Sequence, residues 1–172
     1  MKYLLELLLA VWAAVVEASL PVVLGLATWR PLLVPVVAVR LGLVTGTLPG
    51  ALLTLAAGLV HEAVCGLPTG VSTFALMVVQ ASSRAFAGGL GLAGRRVELT
   101  ASMAGVLAWQ LLLWACEHLL GPLDGAPTFA WLGAVLAATA ASLPGAWLVF
   151  AAGRRLEPAD KRPLGTLAGG GR

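Results

Sequence analysis

The chain opens on an apolar run from Leu4 to Leu26 whose only charged residues are Glu6 and Glu17. A helix of about 20 apolar residues crosses the hydrocarbon core of a bilayer. The apolar region of a secretory signal peptide is shorter and is followed by a cleavage site of small residues. The run therefore predicts a first membrane span.

The composition extends this interpretation to the whole chain. Of 172 residues, 59% are hydrophobic and 11% are charged, and the mean hydropathy is +0.94. A soluble domain usually has about 25% charged residues, so this chain lacks the side chains for a polar surface, and the same figures exclude disorder. The net charge of +3 comes from basic residues at span ends, which does not indicate a nucleic-acid surface.

Five more apolar runs follow, separated by turns and charged residues. We expect an all-α membrane protein with six transmembrane helices in residues 1–152 and a disordered, Gly/Arg-rich tail in residues 153–172. The spans are predicted at Leu4–Leu26, Leu32–Thr47, Pro49–Gly66, Val71–Leu92, Glu98–Leu120 and Phe129–Ala152, the last bent at Pro144.

The basic residues predict the orientation of the spans, because Lys and Arg accumulate in cytoplasmic loops. With six spans, both termini and the loop after the fourth span share one side, which we expect to be the cytoplasm. That side would carry Lys2, Arg95, Arg96, Arg154, Arg155, Lys161, Arg162 and Arg172.

Several charged residues fall inside the predicted spans, where each needs a partner or a route to water. Arg84 lies near the end of its span and is expected to extend its side chain to the interface. Arg40 lies deeper, and either Glu6 or Glu17 is a candidate partner; a structural ion pair is favoured over a transport gate. Alternatively, Glu17 faces the helix of a partner protein.

Small residues recur every four positions around the third span. Such series let helices approach closely within a membrane, and Pro49 shows that this one does not belong to a single helix. Packing within the chain is the favoured interpretation, and a docking face for another protein's helix is the alternative. The series consists of Gly42, Gly46, Gly50, Thr54, Gly58, Glu62, Gly66 and Gly70.

Two patterns suggest metal chemistry. The segment His61–Cys65 resembles the zinc motif H-E-x-x-H with Cys in place of the second His, and Leu-Asp-Gly at Asp124 is similar to a segment of intramembrane metalloproteases. His61, Glu62, Glu117 and His118 also form a group at the predicted outer ends of spans. Side chains of these types are ordinary at such ends, and no Ser/His/Asp arrangement or phosphate loop is visible. We therefore expect no catalytic residues, no metal and no cofactor.

The glycine-rich region resembles a known family. The sequence Gly-x-x-x-Gly-Ala-Leu-Leu at 46–53 precedes Gly58-Leu-Val-His-Glu62-Ala-Val-Cys-Gly66-Leu-Pro-Thr-Gly70. This pattern resembles MreD, the rod shape-determining membrane proteins, whose corresponding stretch usually has Asp where Glu62 stands. The resemblance covers most of the chain in layout but only residues 30–70 in sequence.

The resemblance implies a non-enzymatic subunit of the bacterial cell-elongation complex in the inner membrane. Such proteins associate with MreC, and through it with MreB, RodA and a class B penicillin-binding protein. We expect the glycine-lined spans and the surroundings of Glu62 to receive the single span of MreC. The fold implied is similar to that of the substrate-binding subunits of energy-coupling-factor vitamin transporters.

That similarity supplies the alternative function, a vitamin-binding subunit with a ligand cavity near its outer side. Such cavities combine aromatic side chains with several polar groups, and polar residues are few here. Tryptophans near span ends are more typical of a membrane belt. Those considered are Trp12, Trp109, Trp114, Trp131 and Trp147.

Overall fold

A computed structural model of the chain describes residues 2–24, 31–67, 69–90, 95–120 and 129–156. All regular secondary structure in these ranges is helical, as the composition predicts. The six helices are α1 (Lys2–Leu24), α2 (Leu33–Val44), α3 (Thr47–Cys65), α4 (Val71–Leu90), α5 (Arg95–Leu120) and α6 (Phe129–Leu156).

One helix occupies the centre of the bundle. Helix α2 contacts all five others, and these five form a ring around it in the order α1, α3, α4, α5, α6 and back to α1. The smallest contact in the ring is the one between α1 and α6. Every residue of α2 from Leu33 to Gly42 is buried, so the other helices enclose all of α2 except its last two residues.

Consecutive helices run in opposite directions. We call the end of the bundle with Arg84, Arg96 and Arg154 the basic end. The other end, where α1 finishes and α2 begins, we call the Glu17 end after its buried carboxylate.

The central helix is shorter than the sequence predicts. The apolar run Leu32–Thr47 contains only 12 helical residues, or about 18 Å at 1.5 Å per residue, against about 30 Å of hydrocarbon. The helix ends where Thr45 adopts an extended conformation, and Gly46 precedes α3. This break confirms that the small-residue series does not form one helix.

Four helices are long and apolar enough to cross a membrane: α1, α3, α5 and α6. Helix α4 has sufficient length, but it carries several polar residues, among them Ser72, Gln80 and Ser83, which are buried against its neighbours. The structure therefore supports a helical membrane protein with four candidate spans among the described helices, and the six-span count stays a prediction.

The predicted boundaries differ from the observed ones mainly at the basic end. Helix α5 begins at Arg95 instead of Glu98, and α6 continues through Pro144 and past residue 152 to Leu156. Arg154 of α6 forms an ion pair with Glu98 of α5, which holds these two helix ends together. Residues 153–156 are thus helical, and residues 157–172 of the predicted tail lie outside the described part.

Candidate functional site

The buried start of α2 receives side chains from two neighbouring helices. Three backbone N–H groups there have no acceptor within the helix, as at any helix start. The N–H of Leu32 donates to Oγ of Ser142 at 2.8 Å, and those of Leu33 and Val34 donate to Oε2 of Glu17 at 2.8 and 3.0 Å. Glu17 is 4% exposed, so this carboxylate serves a helix of its own chain and does not face a partner protein.

The other end of α2 has a cationic partner. Arg84 of α4 is half-buried and donates from Nη1 to the backbone carbonyl of Thr45. A helix start favours an anion and a helix end favours a cation, because the peptide dipoles are aligned. Arg84 therefore complements the end of α2. The guanidinium is used by a carbonyl of the same chain, and the expected extension of this side chain to the membrane interface stays a prediction.

Glu17 also belongs to a chain of polar side chains at the Glu17 end. Its Oε1 lies 3.1 Å from Nε2 of His61, whose Nδ1 lies 3.0 Å from Oγ of Ser72. With the proton on Nε2, His61 donates to Glu17 and accepts from the Ser72 hydroxyl. The indole of Trp109 packs edge-on against the imidazole at 5.9 Å between ring centroids. Four helices meet in this cluster.

The cluster contains the three group types of a serine hydrolase, which the sequence pattern does not reveal because they lie on three helices. Ser72 and His61 are each 1% exposed, so no substrate reaches the hydroxyl in this conformation. The observed contacts connect α1, α3 and α4 around the start of α2. In the sequence, Ser72 is only a serine near a helix start. Such serines are common, so its position does not predict the contact with His61.

Glu62 has a similar role at the start of α4. Its Oε2 accepts the N–H of Gly70 at 2.9 Å, and its Oε1 accepts the N–H of Thr73 at 2.7 Å. The carboxylate is almost completely buried. From the last turn of α3, Glu62 therefore accepts hydrogen bonds from backbone N–H groups at the start of α4 that have no acceptor within that helix. Both of its oxygens are used by its own chain.

Arg40 pairs with Glu6, one of the two partners expected from the sequence. Nη2 of Arg40 lies 3.0 Å from Oε1 of Glu6, and each side chain is 1% exposed. The guanidinium carbon also lies 5.8 Å from the ring centroid of Phe150. A Cβ atom at Gly153 would overlap the guanidinium, so α1, α2 and α6 close tightly around this ion pair.

The glycines of the small-residue series have three different surroundings. A Cβ at Gly58 would lie 2.6–2.9 Å from Thr73, and one at Gly50 would lie 2.9 Å from Nε2 of Gln80, so both glycines pack against α4. Gly46 faces only its own Pro49.

The last two glycines of the series have positive φ, 65° at Gly66 and 99° at Gly70. A side chain there would be strained. The series therefore serves packing and turns within the chain, and the expected docking of MreC along Gly58 and Glu62 meets residues already covered by α4.

The two histidines that suggested a metal site have different partners. His61 belongs to the buried cluster, whereas Nδ1 of His118 contacts the carbonyl of Trp114 on its own helix at 2.9 Å. No three His, Cys, Asp or Glu side chains among the described residues form a candidate metal group. Asp124 and the side chain of Glu117 lie outside the described part.

Comparison with protein-family models, with curated proteins and with solved structures finds no match to this chain. In the described residues, the structure defines the class as an all-helical protein in which five helices, four of them long and apolar, surround a short, buried one.

Proposed function

We propose that the chain is a non-enzymatic scaffold subunit of the bacterial cell-elongation complex, similar to MreD. In this role it binds MreC within the inner membrane, with both of its own termini in the cytoplasm. MreC then connects it to MreB, RodA and a class B penicillin-binding protein. The proposal rests on the sequence resemblance and on the way the chain uses its polar residues.

The polar interior supports a role in binding through the outer faces. Glu17, Glu62 and Arg40 are all engaged by groups of the same chain, so their charges stabilise the bundle. The surfaces left for a partner are the apolar outer faces of the helices. Contacts between membrane helices depend on close packing of such faces.

Two exposed tryptophans lie on the outer faces of α1 and α6. Trp12 on α1 is 48% exposed and Trp147 on α6 is 44% exposed. Trp12 lies ten residues from the start of α1 and Trp147 lies nine from the end of α6, so both stand about 14 Å from the basic end. That is near the middle of a bilayer about 30 Å thick, whereas lipid-facing tryptophans concentrate at the interfaces.

We place the single span of the partner along the seam between α1 and α6. This seam has the smallest helix contact in the ring, and each of the two helices that border it carries a half-exposed indole, a large apolar side chain of the type that dominates binding energy at interfaces. The single observation that carries this placement is the small contact between α1 and α6.

The test is a mild-detergent pull-down of the tagged protein from its native host, with mass spectrometry of the proteins retained. We expect MreC to be retained by the wild type and lost from Trp12→Ala and Trp147→Ala. Leu111→Ala on α5 is the matched control, since Leu111 is also half-exposed and lies away from the seam. Thermal stability in detergent, measured for every variant, excludes general unfolding as the cause.

Three results would contradict parts of this proposal. Retention of MreC by both tryptophan variants overturns the seam and leaves the scaffold role standing. Absence of MreC from the wild-type sample overturns the scaffold role. Recovery of two ATPases with a coupling membrane subunit instead supports the alternative of a vitamin-binding transporter subunit.

A further inference from the structure

A groove between α4 and α5 is not used by any contact described above. It encloses about 350 Å³ and is lined on one side by Val79, Ser83 and Phe86 and on the other by Thr100, Ala104 and Ala108. Along α5 it extends from Thr100 to Ala108, or about 12 Å.

The groove is apolar although hydroxyl groups line it. Ser83 donates its hydroxyl to the carbonyl of Val79 at 2.8 Å, and Thr100 donates to the carbonyl of Arg96 at 2.9 Å. These two hydroxyls are thus satisfied within their own helices, and Ser82 is the remaining hydroxyl residue of the lining. The surface offered to an occupant is mainly methyl, methylene and aromatic carbon.

The dimensions of the groove select a thin occupant. A helix with its side chains is about 10 Å in diameter, wider than a groove of about 350 Å³ and about 12 Å in length can take up. A single hydrocarbon chain is much thinner. One leaflet of a bilayer is about 15 Å deep, so the length of the groove fits the chain of a lipid in one leaflet.

A basic residue lies at the end of the groove where the headgroup would be. Arg96 is exposed and lies one helical turn before Thr100, on the same face of α5. Side chains of a helix point toward its start, which directs Arg96 out of the groove toward the membrane surface. The nearest acidic residue of α5, Glu98, is paired with Arg154, so its charge is compensated.

We infer that the groove between α4 and α5 binds one acyl chain of an anionic phospholipid from the leaflet at the basic end, with the lipid phosphate held by Arg96. The bound lipid fills the space beside Phe86 and Ala104 and fixes α4 against α5. This inference does not depend on the elongation role, since it needs only the membrane and the chain itself.

The test is native mass spectrometry of the full chain in detergent with added phosphatidylglycerol or phosphatidylcholine. We expect one tightly retained lipid, with phosphatidylglycerol preferred. Arg96→Gln should reduce that preference about tenfold, the effect of losing one charge-assisted hydrogen bond. Arg155→Gln is the matched control, because Arg155 is also an exposed arginine at the basic end of the bundle but lies on α6.

A second variant tests the groove separately from the charge. Ala104→Phe fills the groove and should abolish retention of both lipids, whereas Ala140→Phe, at an exposed alanine of α6, should not. Equal retention of the two lipids by the wild type would overturn the headgroup contact. Unchanged lipid retention in Ala104→Phe would overturn the groove as the binding site. A crosslinker placed at residue 104 that captures another protein and no lipid would overturn it as well.

Discussion

Glu17 and Arg84 hold opposite ends of the same buried helix. The carboxylate of Glu17 accepts the first amides of α2, and the guanidinium of Arg84 donates to the carbonyl of Thr45 just after its last turn. Each charge has the sign that the helix dipole favours at that end. A 12-residue helix can thus lie inside a membrane bundle without reaching water at its start.

We expect Glu17→Leu to lower the free energy of unfolding by about 3 kcal/mol or more, because it leaves two buried amides without an acceptor. Glu17→Gln retains one oxygen acceptor and should lose less. Unfolding by SDS in mixed micelles measures both, with Leu8→Ala as a control at an exposed position of the same helix. Equal stability of Glu17→Leu and the control would contradict the role of Glu17 at the start of α2.

Arg40 and Glu6 should be strongly coupled. Replacing Arg40 alone leaves the carboxylate of Glu6 as a buried charge without this counter-ion, which costs about 3–5 kcal/mol. The double variant Arg40→Met, Glu6→Leu should lose much less than the sum of the single losses. A double-mutant cycle on the free energy of unfolding measures this, and additive losses would show that the ion pair does not act as a unit.

Substitution by alanine should affect stability strongly at one glycine of the series and only slightly at another. Gly58→Ala introduces a methyl group against Thr73 and should destabilise the bundle by about 1–3 kcal/mol. Gly46→Ala meets only the ring of Pro49 at 3.6 Å and should change stability by less than about 0.5 kcal/mol. Thermal unfolding of the purified variants distinguishes them, and similar losses at both positions would contradict the packing of Gly58 against α4.

The carboxylate of Glu62 should determine how stable the first turn of α4 is. In Glu62→Ala the amides of Gly70 and Thr73 lose their acceptor, so their hydrogen exchange should become faster, with a smaller effect in Glu62→Asp. Exchange measured by mass spectrometry over residues 66–76 provides the readout. Glu98→Ala is the control, since it breaks a partly exposed ion pair of little energetic value. Unchanged exchange in Glu62→Ala would exclude this capping role.

Several features could be predicted from the sequence because they depend on local properties. The apolar runs predicted helices near their observed positions, and the depth of Arg40 required an acidic partner, which the structure identifies as Glu6. The glycine spacing predicted close helix contacts, and Gly58 packs against α4. Helix ends were less accurate: α5 begins three residues earlier than predicted, since charged residues continue a helix beyond its apolar part.

The sequence by itself determined that the chain is helical and suited to a membrane, because hydropathy and length act one segment at a time. Only the tertiary structure decided which helix lies in the centre, since that depends on how five other helices pack around it. It also decided that Glu17, His61 and Ser72 meet, because a hydrogen bond between distant residues forms only when the helices bring donor and acceptor atoms to about 3 Å from each other. Through that packing, Glu17 and Glu62, which the sequence offers as candidate binding groups, accept hydrogen bonds at the starts of α2 and α4.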